Sequence, residues 1–138
     1  MFVFTEAWRQ AYPTAAVGFL WMRGVSNPEA HPELDRRKEE LEAELRGRYA
    51  GLDRAALKAL PTLAAYAAYY RRFDKTYHVQ HQLESIVLKK RSIPRVAALV
   101  EAMFMAELQN QLLTAGHDAA FVEHPVRVDV ATGSEVYA

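Results

Sequence analysis

Apolar positions along the chain follow two different periods. Between Glu33 and Ala50, Leu34, Leu41, Leu45 and Tyr49 recur at offsets of seven, four and four, which puts them on one helix face. Glu, Arg and Lys fill the rest of that stretch, with Arg37, Leu41, Leu45 and Glu40, Glu44, Arg48 in helical rows. The charge run is expected to be a solvated face, closed by Gly51. Arg54–Leu60 predicts a short helix stopped by Pro61, and Pro61 can open the next, Thr62–Phe73, with Leu63, Tyr66, Ala67 and Tyr70 as its stripe. Gln80–Lys90 predicts a further helix with Leu83, Ile86 and Val87 along one side. Val96, Leu99, Val100, Met103 and Phe104 predict another from Arg95, with Pro94 at its opening. Ala106–Leu113 either continues that helix or forms a strand.

The two ends of the chain read differently. Phe2–Phe4 is a short β-prone run, followed by a helical stretch, Glu6–Tyr12, that Pro13 closes. Ala15–Met22 is continuously apolar with Val17, Phe19 and Trp21 alternating, which predicts a buried strand. Val126, Val128 and Val130 alternate with Arg127, Asp129 and Ala131 as a half-buried strand does, and Glu135–Tyr137 begins one more. Strands at the ends and helices between them make the class α+β, a small sheet packed against several helices in a single domain over residues 1–138. The last strand has no later sequence to cover its edge. The expectation is therefore either a truncated domain or a homo-oligomer that pairs through the exposed strand edge.

Composition narrows the function classes. Of 138 residues, 51% are apolar and 25% charged, the balance of a folded globular chain. Seventeen Lys and Arg oppose seventeen Asp and Glu, so any basic surface has to be local. With no cysteine, disulfides, thiolate nucleophiles and Cys-based zinc or iron–sulfur sites are excluded. Ala15–Met22 falls far short of the ~20 apolar residues of a spanning helix, and Glu6 and Arg9 interrupt any signal-peptide pattern. The reading is cytoplasmic, without membrane, cofactor or metal.

The local basic surface is found between Arg71 and Arg95. Arg71, Arg72, Lys75, Lys89, Lys90, Arg91 and Arg95 are opposed there only by Asp74 and Glu84, and Tyr69, Tyr70, Phe73 and Tyr77 are interleaved. Cations neutralise phosphates and rings stack on unpaired bases, so the seven cations are RNA-binding candidates. The plainer alternative is helix-end cations beside core tyrosines. His78 and His81 share a helical spacing but have no evident third ligand, and a surface or capping role accounts for them. In Thr114-Ala115-Gly116-His117-Asp118, Gly116 permits a tight turn and His117 beside Asp118 could orient a water. Asp118 is equally explained as the cap of the short turn that follows. Gly-rich phosphate loops, GxSxG and HExxH are absent.

The segment 69–137 resembles the B3/B4 domain of the phenylalanyl-tRNA synthetase beta subunit, and is most similar to free-standing proteins that carry that domain alone. The likeness runs through Tyr70-Arg71-Arg72-Phe73, Ser85 ahead of Lys89-Lys90-Arg91, Ile93-Pro94 and Leu99-Val100-Glu101. It continues through Ala115-Gly116-His117-Asp118, Val126–Val130 and Gly133-Ser134-Glu135. The resemblance implies a B3/B4-like fold that binds tRNA, a function that in the synthetases extends to hydrolysing a mischarged aminoacyl ester. The candidates for positioning water or the amino group are His117 and Asp118, with Phe104 and Glu107 as substrate-pocket candidates if the family layout holds. The chain has Glu101 and Phe104 where the family pattern has an asparagine, and it ends before the last part of the family domain, so no editing residue is carried across by motif. The other reading is a non-catalytic module that holds an amino acid or metabolite, or that self-assembles.

Overall fold

A computed structural model describes residues 2–135. In chain order the elements are β1 (Phe2–Phe4), α1 (Glu6–Ala11), α2 (Pro32–Arg48), α3 (Arg54–Lys58), α4 (Pro61–Arg71), α5 (His78–Val87), α6 (Ala98–Asn110), a 3-10 turn (Ala119–Phe121) and β2 (Val126–Val128). Among the described residues helices dominate and the sheet has two strands, so the class is α+β. Ser26–Gly116 forms one compact unit, and the described residues on either side of it, 2–25 and 117–135, form another.

In the helical unit, α2 packs on α5 and α6, α5 on α6, and α3 on α4 and α5. Leu41 and Leu45 of α2 and Tyr49 at its C-terminal cap meet Leu57, Leu63, Tyr77, Val79, Leu83, Ile86, Val87, Ile93 and Leu108 in one core. Five leucines among the described residues, Leu45, Leu57, Leu63, Leu83 and Leu108, are fully buried, each contributing about 2 kcal/mol of transfer free energy. Pro32 occupies the first turn of α2, with Glu33 and Asp35 at its positive pole and Arg46 and Arg48 at the other.

The charge run of α2 is not wholly solvated. Lys38 and Glu42 lie in the buried stripe, 5% and 6% exposed. Lys38 follows Leu34 by four residues, and Glu42 precedes Leu45 by three, so both share the phase of the leucines. They tolerate burial because each is paired. The Lys38 ammonium bonds Glu101 of α6 and also Asp35 at 2.9 Å, while Arg95 meets Asp35 at 3.1 Å. The other Glu101 oxygen accepts the Val96 amide at 2.8 Å. Hydrogen bonding from Lys38 holds the Glu101 carboxyl below its usual range. Burial pulls the Lys38 ammonium down, but Glu101 and Asp35 outweigh it and leave it raised. Glu84 on α5 is also buried. Desolvation pushes its carboxyl up, and hydrogen bonds from Gln80 at 2.8 Å and Arg54 at 3.0 Å reverse the direction.

α6 begins four residues later than Pro94 suggests. Residues 94–97 stay out of the helix, Ala97 is extended, and the Ala98 and Leu99 amides donate to the Pro28 carbonyl and the Asn27 side chain, each at 2.9 Å. Those acceptors lie some seventy residues earlier in the chain, and they satisfy the open amides of a first helical turn. At the other end the helix runs to Asn110, which settles Ala106–Asn110 as helical. Gln111, in the left-handed region at φ 59°, stops it.

In the second unit β1 pairs in parallel with β2, with Phe2 opposite Val126, Val3 opposite Arg127 and Phe4 opposite Val128. Phe2, Phe4, Val126 and Val128 are half-buried while Val3 and Arg127 are exposed, the alternation read from the sequence. Thr5 ends β1 and caps α1: its hydroxyl accepts the Trp8 amide at 3.1 Å and donates to Asp129 at 2.7 Å.

The expected strand over Ala15–Met22 does not form. Its apolar residues make ring contacts instead of a hydrogen-bonded ladder: Phe19 stacks on Phe2 with centroids 3.7 Å apart, and Trp21 lies 5.3 Å from His124. Leu20 remains 82% exposed. Alternation alone does not make a strand without a neighbour to pair with. Of the expected strand Glu135–Tyr137, only Glu135 lies within the described residues. There its carboxylate accepts the amides of Thr132 at 2.6 Å and Gly133 at 2.9 Å in a turn, and the Thr132 amide above all holds the carboxyl at about 2.

Replacing Lys38 by Met keeps its stem but leaves Glu101 as an unpaired buried charge, so urea denaturation should show a loss of about 3 kcal/mol. Because the Glu101 carboxyl is lowered on folding, its contribution is present above the unfolded value of about 4.3. That contribution disappears as pH falls through the folded value. Unfolding midpoints measured from pH 6 down to pH 2 should therefore drop below about pH 4, and less steeply in Glu101→Gln.

Candidate functional site

The helical unit contains a cleft of about 370 Å³ between α5, α6 and the segment joining them. His81, Gln82, Ser85 and Ile86 approach it from successive turns of α5, and Phe104 and Leu108, one turn apart, approach from α6. Arg91, Ser92, Ile93 and Pro94 close the remaining side.

That closing segment is held in place from behind. Arg91 donates its amide to the Ser85 carbonyl at 3.0 Å across Lys90, which is left-handed at φ 56°. This is the helix ending usually built on glycine. Glu42 and Arg46, one turn apart on α2, complete the attachment. The Glu42 carboxylate accepts the Ile93 amide at 2.7 Å and the Arg46 guanidinium at 3.1 Å. Arg46 also donates to the carbonyls of Ile86 at 3.2 Å and Arg91 at 3.0 Å. Two charged side chains of a neighbouring helix thus fix the wall of the cleft at three backbone groups.

The lining is apolar at Ile86, Ile93, Pro94, Phe104 and Leu108, with a few polar groups between. The Gln82 side-chain oxygen is buried and has no hydrogen-bond partner among the described residues. An unpaired buried acceptor is costly, so a donor entering the cleft would recover part of that cost. Ser85 and Ser92 bring hydroxyls, and Arg91 brings a guanidinium that makes no ion pair among the described residues. A cavity of this size with few convergent polar groups suits a small ligand with an apolar body.

Among the sequence-predicted site residues, Phe104 and Arg91 come together in this cleft. Glu107 does not line it. It is 1% exposed and accepts the amide and hydroxyl of Thr114, both at 2.9 Å, with His78 Nε2 at 3.4 Å. Glu107 therefore fastens the chain leaving α6. His117 and Asp118 belong to the other compact unit. Asp118 accepts the Ala120 amide at 2.9 Å as the cap of the 3-10 turn, and no hydrogen bond joins it to His117 among the described residues. His81 lies 4.0 Å from Glu84, and no group of three ligating side chains occurs among the described residues.

The basic candidates form two groups. Arg71 ends α4, and Arg72 and Lys75 lie between it and α5, whereas Lys89, Lys90 and Arg91 follow α5. Ten helical residues separate them by about 15 Å. All six are exposed, and none makes an ion pair among the described residues. Arg95 is different, being paired with Asp35. Glu42, Arg46 and Gln82 were not singled out from sequence. The helical phase that Glu42 shares with Leu45 was the available signal for one of them.

Compared with family models, curated proteins and solved structures, the chain matches none.

Substituting Glu42 by Ala leaves the Ile93 amide and Arg46 without their acceptor. The expected cost is about 2 kcal/mol, with the Ile93 amide losing its hydrogen-exchange protection before the α5 core does. Lys90→Gly relieves the left-handed strain and should raise stability by about 1 kcal/mol, read from the urea midpoint.

Proposed function

We propose that this chain binds the aminoacylated end of a tRNA, with the amino-acid side chain in the cleft between α5 and α6 and the adjoining phosphates on Lys89, Lys90 and Arg91. The observation that carries this reading is the juxtaposition of an apolar cleft of about 370 Å³ with exposed cations that make no ion pair among the described residues. The likeness of segment 69–137 to the B3/B4 domain points the same way. Phe104 and Leu108 offer the side chain an apolar surface, the Gln82 oxygen is an acceptor for the amino group, and Arg91 stands where the phosphate chain would enter.

Hydrolysis of a mischarged ester is the catalytic extension of the proposal. Such a step needs a water aligned on the ester carbonyl and donors for the developing oxyanion, and it needs no protein nucleophile. His117 and Asp118 are the candidates proposed to position this water; both belong to the unit outside Ser26–Gly116, where the Asp118 carboxylate caps the 3-10 turn. The second reading is a non-catalytic pocket for a free amino acid or metabolite, favoured by the unpaired Gln82 oxygen and the small volume.

Salt separates the two readings. Three phosphate contacts on a single strand give a log–log slope near −2, so raising salt from about 50 to 200 mM should weaken binding of an aminoacylated acceptor stem about 20-fold. Arg91→Ala should reduce the slope by about 0.7, and Phe104→Ala should abolish the preference for the aminoacylated over the bare end. Binding of free amino acid with no salt-sensitive RNA affinity would establish the second reading instead. Release of amino acid from mischarged tRNA, lost in His117→Ala, would establish the hydrolytic extension.

A further inference from the structure

We infer that the C-terminal end of α4 is a stacking platform for unpaired bases of an RNA strand. The inference rests on the RNA reading above but uses a different surface, at the other end of α5 from the cleft. Tyr69 and Phe73, one turn apart, are 41% and 55% exposed, with ring centroids 5.3 Å apart. The Arg72 guanidinium lies 5.6 Å from the Tyr69 centroid and 5.9 Å from that of Phe73. Two rings with a planar cation over them thus form one patch on the surface, and Phe73, the more exposed ring, is the one on which a base would stack.

The patch is rigidly backed. Behind it, Tyr66 stacks on Tyr77 with centroids 4.2 Å apart and planes within 8° of parallel, and Tyr70 packs 5.5 Å from Tyr77. The Tyr77 hydroxyl donates to the Gln111 carbonyl at 2.8 Å, and the Tyr66 hydroxyl accepts the Leu113 amide at 3.3 Å. Phe73 and Lys75 both donate their amides to the Tyr70 carbonyl, and Asp74 turns the chain at φ 53°. A platform fixed before binding loses little entropy when a base lands on it.

Charge selects the occupant. Arg71, Arg72 and Lys75 are exposed beside the rings and make no ion pair among the described residues. They exceed Asp74 and the weak negative pole of α4. An acidic peptide would use these cations but leave the rings idle, and a membrane would need a wider apolar face than two rings supply. A single strand uses both, and the ~15 Å length of α5 would let one strand continue from the platform towards Lys89–Arg91.

The test is fluorescence anisotropy of a short, labelled, unacylated single-stranded oligoribonucleotide against the full chain. Phe73→Ala should weaken binding about ten-fold with the salt slope unchanged, because base stacking is lost and no phosphate contact is. Phe73→Trp should bind at least as tightly as the parent chain, and Arg72→Gln should lower the slope by about 0.7. Equal affinity of the parent chain and Phe73→Ala overturns the inference, as does displacement of the oligonucleotide by polyglutamate or anionic vesicles as readily as by unlabelled RNA. The bare oligonucleotide carries no amino acid, so its dependence on Phe73 judges the platform alone. The preference for an aminoacylated end judges the cleft.

Discussion

Two buried charges on one helix determine where the cleft can be. Lys38 and Glu42 lie one turn apart on α2, within the stripe that also carries Leu41 and Leu45. Glu42 takes the Ile93 amide directly, and Lys38 holds the Glu101 carboxylate that takes the Val96 amide. The chain between α5 and α6 is thereby fixed at two backbone groups three residues apart, just where it has no helix or strand of its own. Burying charge costs more than burying leucine, and the pairs recover that cost only in this arrangement. An apolar α2 could pack as well, but it would offer the connecting segment no acceptor.

The helices were largely legible because leucines at helical spacing report a buried face directly. Leu41 and Leu45 on α2 with Tyr49 at its cap, and Leu83, Ile86 and Val87 on α5, are buried as their spacing indicated. The start of α6 was illegible for a definite reason: its first amides are capped by Asn27 and Pro28, and no local pattern reports a partner so distant in sequence. Ala15–Met22 shows the opposite failure. Val17, Phe19 and Trp21 alternate as a strand does, yet a strand is a property of two segments, and this one finds ring contacts rather than a ladder.

The site was legible in part. Phe104 and Arg91 come together with Ser85 across some twenty residues of chain. The charge run of α2 concealed the side chains that organise them, because a Glu or Lys within a run of its own kind carries no mark of burial except its phase. Glu107 illustrates the converse: a carboxylate expected in a substrate pocket instead accepts the Thr114 amide and hydroxyl on one oxygen and faces His78 with the other. The cations proved more informative as a set than singly. Arg95 is spent on Asp35, and the other six divide between the two ends of α5, one group beside the cleft and the other beside the tyrosines.

Amide resonance mapping tests at once the cleft that α2 holds in place and binding at that cleft. An isotope-labelled chain titrated with an aminoacylated acceptor stem should show its largest perturbations at Ser85, Arg91, Ser92 and Phe104, with the Ile93 amide keeping its hydrogen bond to Glu42. Perturbations confined to the unit that carries His117 and Asp118, or none at saturating RNA, would contradict it.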